Sequence, residues 1–187
     1  MISLQNKSPK LLVIGDLMID QYLWGSCERI SPEAPVQIIN IERERNVLGG
    51  AGNVVNNLKQ LGAKVDVISV IGDCEASNKL LNLLSDIEVD TKYLVTQKKR
   101  ISSKKSRIIA SQQQVVRYDR ESSDDISAES QNTIIKTFIN IVKNYEVILL
   151  SDYGKGVLTD QLTRSLINIA KENNKKVLID PKGKDYF

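Results

Sequence analysis

The chain has 187 residues and no histidine. That excludes Ser-His-Asp and Cys-His nucleophilic machinery and any metal centre that needs imidazole. A general base must then be Asp, Glu, Lys, Tyr or Cys. Cysteine occurs only as Cys27 and Cys74, too far apart for a CxxC motif. That usage fits a reducing compartment better than a disulfide framework. Aromatics are scarce (six Tyr, two Phe, one Trp), so the core must be mostly aliphatic. No apolar run approaches the roughly 18 residues of a membrane span. The first apolar run, Leu11-Leu12-Val13-Ile14, is also too short for a signal-peptide core. These absences place the protein in the cytoplasm with no membrane partner. The 26 basic and 23 acidic residues leave a net charge of +3, which gives no reason to expect nucleic acid as a partner.

What is present has the pattern of an α/β domain. Leu11–Ile14, Val65–Ile71, Val147–Leu150 and Val177–Ile179 are short continuous apolar runs, as expected of buried strands. Tyr93–Val95 reads as a further strand. Between them lie segments with apolar residues at helical spacing: Val54, Val55, Leu58 and Leu61, closed by Gly62; Leu80, Leu81, Leu83 and Leu84; Ile134, Ile135, Phe138, Ile139 and Val142; and Leu158, Leu162, Leu166, Ile167 and Ala170. This alternation predicts a doubly wound, mostly parallel sheet with helices on both faces. Two stretches, about 21–48 and 100–120, contain no helical pattern. They include an Ile- and Val-rich strand over Val36–Ile41 and a hairpin, Lys105–Ala110 and Gln114–Asp119 around a Ser111-Gln112-Gln113 turn. Together they can form a small separate sheet.

Four polar runs follow strands or open a helix, where α/β binding sites form. In Gly15-Asp16-Leu17-Met18-Ile19-Asp20, Asp16 and Asp20 can accept hydrogen bonds from neutral hydroxyls; the competing reading of Asp16 is a turn carboxylate capping a helix. Gly49-Gly50-Ala51-Gly52-Asn53 lets a ligand approach the backbone at a helix start, or simply makes a tight turn. It is neither a P-loop, since no Gly-Lys-Ser/Thr follows, nor a dinucleotide fingerprint, since Val55 stands where Gly or Ala is needed. Ser151-Asp152-Tyr153-Gly154-Lys155-Gly156 and Asp180-Pro181-Lys182-Gly183 complete the set. Six basic residues between Lys98 and Arg107, with no acid among them, can steer a phosphorylated substrate or form a solvated surface. Arg117 and Asp119 flank Tyr118 and share one strand face, where an ion pair is the plain expectation.

These residues resemble the ribokinase-like (PfkB) carbohydrate kinases. The resemblance rests on Gly49–Asn53 followed by Gly62 and Gly72, and extends over nearly the whole chain. Gly15-Asp16-Leu17-Met18-Ile19-Asp20-Gln21-Tyr22, Arg29-Ile30-Ser31-Pro32-Glu33-Ala34-Pro35-Val36, the Ser151 run and the Asp180 run are most similar to the branch that phosphorylates heptose 7-phosphate. The resemblance implies a doubly wound sheet with a small β lid that also forms a dimer clasp. It implies transfer of the γ-phosphoryl group of ATP, with Mg²⁺, to O1 of D-glycero-D-manno-heptose 7-phosphate, a step toward ADP-heptose and the lipopolysaccharide core. Asp16, Asp20, Gly49, Gly50 and Asn53 would then hold sugar hydroxyls, and Arg117, Lys155 and Lys182 the sugar phosphate.

The family's second signature, a Gly-Ala-Gly-Asp type run supplying the catalytic base and an anion hole, is not found in residues 1–187. The expectation is therefore an N-terminal part of the kinase domain, with the nucleotide-binding half absent, no catalytic base, and neither ATP nor Mg²⁺ binding well. The alternatives are another sugar kinase of the same fold, a non-catalytic sugar-phosphate-binding or dimerisation module, and a dinucleotide-binding protein.

Overall fold

The structure is a computed structural model describing residues 8–182. Gly183, the last residue of the Asp180 run, lies outside the described residues.

Five strands form a parallel sheet: β1 (Lys10–Gly15), β4 (Lys64–Gly72), β5 (Leu94–Gln97), β8 (Val147–Ser151) and β9 (Lys176–Asp180), in the order β5-β4-β1-β8-β9. Helices α1 (Ala51–Gln60) and α2 (Glu75–Asp86) cover one face, and α3 (Ala128–Ile141) and α4 (Asp160–Glu172) the other. Successive strand side chains point to opposite faces, so β1 splits its residues between two cores. Leu12 and Ile14 pack with Phe138, Leu150 and Leu162, while Val13 packs with Val55, Val67 and Leu80. Burial on both faces is why the strand reads as an unbroken apolar run.

The helices begin at caps rather than at their first apolar residue. Ser127 Oγ accepts the Ser130 amide at the head of α3, and Thr159 Oγ1 accepts the Leu162 amide at the head of α4. The apolar pattern alone starts α3 six residues late, at Ile134, and includes Leu158, which precedes α4. Strand β9 also departs from expectation. Leu178 and Ile179 are 57% and 46% exposed, because no described residue packs against its outer side.

The second sheet has the order β3-β2-β6-β7, from β2 (Leu17–Ile30), β3 (Gln37–Gly50), β6 (Ser103–Ala110) and β7 (Gln113–Arg120). It is larger than the sequence pattern indicates: β2 starts directly after Asp16, and β3 continues from the Ile/Val run to Gly50. A bulge at Trp24/Gly25 bends the long β2–β3 pair, and a Cβ at Gly25 would stand 2.1 Å from the Asn40 carbonyl oxygen. In the β6–β7 turn, Ser111 and Gln112 both take positive φ, which matches the twist of the flanking strands. No helix among the described residues is long and apolar enough to cross a membrane.

Candidate functional site

Parallel strands end on one side, so β1, β8 and β9 place Gly15, Ser151 and Asp180 in a row at the sheet's C-terminal rim. A Cβ at Gly15 would lie 1.9 Å from the Ser151 carbonyl oxygen, so no side chain fits there. The chain then leaves the rim through Asp16 into β2 and returns along β3 to Gly50, which caps α1.

Asp16, expected to hold sugar hydroxyls, is enclosed instead. It is 1% exposed, and its carboxylate accepts the amides of Tyr153 (2.8 Å), Lys155 (3.1 Å) and Val157 (3.1 Å). Nor does it cap a helix by its side chain; its backbone carbonyl accepts the Ala51 amide at 2.9 Å. Burial pushes its pKa above the usual carboxylate range, against the three amides that favour the charged form. Asp16 thus ties the loop after β8 to the start of β2 and leaves little surface for a ligand.

Asp20 is the carboxylate that faces outward. Its Oδ1 accepts the Arg107 guanidinium at 2.6 Å. Its Oδ2 would be 2.4 Å from a Cβ on Gly49, so the carboxylate lies directly on the Gly49 backbone. Gly50, with φ of 55°, has similarly little room: a Cβ would meet the Asp16 carbonyl oxygen at 2.5 Å. Two glycines are therefore needed for β3 to pass under Asp20 and enter α1. Asn53 lies exposed in the first turn of α1, which has no acidic residue and no side-chain cap. Asp20 thus touches Gly49, and the Asp16 carbonyl Gly50, where β3 runs into α1, and Asn53 stands in that helix's first turn.

The expected phosphate ligands are placed differently from one another. Lys155 is locked: its ammonium donates to Glu121 at 2.5 Å, and its side chain is 14% exposed. Glu121 also pairs with Lys105 at 3.4 Å; Lys105 pairs with Asp119 at 2.8 Å, and Asp119 with Arg117 at 3.1 Å. Burial would raise the Glu121 carboxyl, but Lys155 and Lys105 hold it below its ordinary range. Lys182 lays its aliphatic stem over Gly154, whose hypothetical Cβ would stand 3.2 Å from the Lys182 Cδ. Arg117 is about half exposed.

Sequence reading overlooks three residues that organise this rim. Buried Arg100 donates to the carbonyls of Asp124 and Lys155, joining the strand-end segment to the loop that Asp16 holds. Glu121 neutralises Lys155. Arg107 pairs with Asp20. Arg100 and Arg107 stand in the basic run, but their partners lie 24 to 87 residues away and leave no local signal.

Among the described residues no group of three or more Cys, Asp or Glu side chains could hold a metal ion. The Ser151 hydroxyl at the end of β8 is buried without a hydrogen-bond partner.

Comparisons with known proteins agree with this architecture. A family model described as pfkB family carbohydrate kinase matches residues 8–187. The chain is 62% identical over 181 residues to the Bifunctional protein HldE of Aliarcobacter butzleri, a match covering 97% of this chain and 38% of that protein. It is 51% identical to the protein of the same name from Helicobacter hepaticus, covering 100% of this chain and 39% of the relative. The chain therefore spans about 38% of the length of the curated relatives it matches. Among solved structures, an Arabidopsis thaliana ribokinase complexed with ribose and ATP has a TM-score of 0.65 at 16% identity, covering 95% of this chain and 55% of that one. A putative phosphofructokinase from Staphylococcus aureus has a TM-score of 0.69 at 10% identity, covering 91% and 52%. Both show the ribokinase-like fold, and with the family match over nearly all of its residues, the chain belongs to the pfkB family of carbohydrate kinases.

Proposed function

We propose that this chain carries the acceptor side of a sugar-phosphate kinase whose substrate is D-glycero-D-manno-heptose 7-phosphate, phosphorylated at O1 from ATP on the route to ADP-heptose. The observation that carries this reading is Asp20 lying on the Gly49 backbone beside the open start of α1. With Oδ1 taken by Arg107, Oδ2 is the oxygen left to accept a sugar hydroxyl. The Asn53 amide offers both a donor and an acceptor at the same edge. A hydroxyl-rich ring needs such convergent neutral and charged partners, because each buried hydroxyl left unpaired costs binding energy. Asp16 enters only as the residue that fixes the adjoining loop.

ATP and Mg²⁺ are the donor and metal of this reading; the pfkB family match and the ribokinase neighbour complexed with ribose and ATP support ATP use. Phosphoryl transfer rests on positioning and charge stabilisation, so the acceptor groups alone orient a hydroxyl without supplying turnover.

The same reading makes the second sheet a lid and the place of homodimerisation. The face opposite Asp20 bears Ile39, Ile41, Ile108 and Val116, with Ile41 42% and Val116 46% exposed. A contiguous apolar patch of this kind on a small sheet suits burial against a second copy. Free cysteines and an ATP-dependent substrate fit a cytoplasmic enzyme.

The test is calorimetric titration of the protein with D-glycero-D-manno-heptose 7-phosphate. Binding that falls about tenfold or more in Asp20→Ala supports the acceptor site. No binding by the wild-type chain overturns it.

A further inference from the structure

Behind the face that carries Asp20, the foot of the second sheet closes a cavity against the core. Successive residues of a strand alternate sides. Lys105 and Asp119 pair in register with Asp20, so Lys104 and Arg120 take the other side with Ile19, which is buried beside Leu80 and Leu84 of α2. At that joint the head of α2 and the foot of the sheet enclose about 230 Å³, lined by Cys74, Glu75 and Lys79 on one side and Ser102, Lys104 and Arg120 on the other.

Charge in this cavity is out of balance. Lys104 and Arg120 stand directly opposite each other in register, a like-charge pair that weakens a sheet. Neither forms an ion pair among the described residues. The two acids whose charge they feel are engaged elsewhere. Glu75 pairs with Lys79 at 2.9 Å, and Glu44 accepts the side-chain amides of Gln21 at 2.6 Å and Asn46 at 2.9 Å. Lys79, Lys104 and Arg120 against Glu75 leave the lining with an excess of two positive charges. The first turn of α2, which has no side-chain cap, adds unsatisfied amides.

The wall of the cavity is built, not loose. Ser102 Oγ accepts the Gly72 amide at 2.9 Å and lies 2.9 Å from Ser77 Oγ, which donates to the Gly72 carbonyl at 2.6 Å. Both serines are buried. Cys74 is partly exposed, with its Sγ 3.4 Å from Ser77 Oγ. Burial raises its thiol, but the Ser77 hydroxyl and the amides of Ser102, Ser77 and Ala76 outweigh that and hold the pKa below its ordinary value. The environment therefore already favours negative charge.

We propose that this cavity binds a small phosphate-bearing anion, and that the anion fastens the foot of the second sheet to α2. Lys104 and Arg120 belong to the sheet and Lys79 to the helix, so one dianion among them bridges the two elements and removes the like-charge repulsion. Drug-sized ligands occupy roughly 300–1,000 Å³, so about 230 Å³ suits inorganic phosphate or a short phosphate ester. Lying behind the sheet from Asp20, the cavity is separate from the acceptor site.

The experiment is alkylation of the chain with iodoacetamide, read by peptide mass spectrometry that counts Cys74 and Cys27 separately. Inorganic phosphate and glycerol 3-phosphate are the probes, with sodium chloride at equal ionic strength as the control. A bound anion covers the Cys74 thiol and disfavours its thiolate, so at least one probe should slow Cys74 about threefold or more, saturably, and leave Cys27 unchanged. The stronger protector identifies free phosphate or a phosphate ester as the occupant. Lys104→Gln/Arg120→Gln should lose the protection. That double variant relieves the like-charge pair, so without probe it should melt no lower than the wild type. Phosphate should also raise the melting temperature of the wild type and of Cys74→Ser by about 2 °C or more beyond its effect on the double variant. Cys74 alkylation that neither probe slows, equal slowing of both cysteines, or protection that survives in the double variant overturns the site. Equal rises in melting temperature in all three proteins overturn the fastening of the sheet.

Discussion

The two sheets use their side chains in opposite ways. The five-stranded sheet buries both faces: Leu12, Val13 and Ile14 of β1 are all fully enclosed. The four-stranded sheet buries little beyond its base, and every residue of β7 is exposed. In the first, apolar area removed from water supplies the stability. In the second, backbone pairing and ion pairs hold an open polar surface. The two sheets meet at the rim where Asp16 binds the Tyr153–Val157 loop, and in the core beside it, where Leu17, Ile19 and Leu48 pack with Val13 and Val55.

That division can be broken by mutation. Phe138→Ala, which opens a cavity in the core under the first sheet, should cost about 3–5 kcal/mol in denaturant unfolding. A cost below about 1 kcal/mol would show that this core does not carry the fold. Asp16→Ala, at the joint, leaves three loop amides without their acceptor and should cost about 1–3 kcal/mol. It should also raise amide exchange across residues 153–157. Loss of the Ser127 or Thr159 cap should cost about 1 kcal/mol each. Val116→Ala, on the second sheet, should change unfolding by less than about 0.5 kcal/mol.

The two regions also respond to pH with opposite sign. The Asp16 pKa is raised in the folded state, so its contribution is largest at low pH and is lost as pH rises through that raised value. The Glu121 pKa is lowered, so its contribution is present above the ordinary glutamate value and is lost as pH falls through the lowered one. Melting temperatures from about pH 3 to 7 should show the wild type losing ground to Asp16→Asn as pH rises above about 4. Relative to Glu121→Gln, it should gain ground as pH rises toward the ordinary glutamate value of about 4.3. Two difference curves of the same slope would contradict the assignment.

The same contrast explains what could be read from sequence. The central strands were legible because burial on both faces leaves continuous apolar runs such as Val147–Leu150. The helices were legible through their apolar faces, though not their polar first turns. Strand β2 was not, because residues 17–30 mix Asp, Gln, Tyr, Trp and Cys with no breaker until Gly25. The glycine run and Asp20 were visible as motifs. Their separation in role from Asp16 was not, since that depends on amides 137 to 141 residues away. The Asp20–Arg107 pair was hidden for the same reason: the two residues meet only through the pairing of β2 with β6.

The Trp24–Tyr22 stack has a practical consequence. Trp24 is the sole tryptophan of the chain, so all its indole emission originates on the second sheet, where Tyr22 stacks on its ring and Arg43 covers it. A ligand or partner bound against that face should shift or quench that fluorescence, giving the second sheet a built-in optical reporter that needs no label.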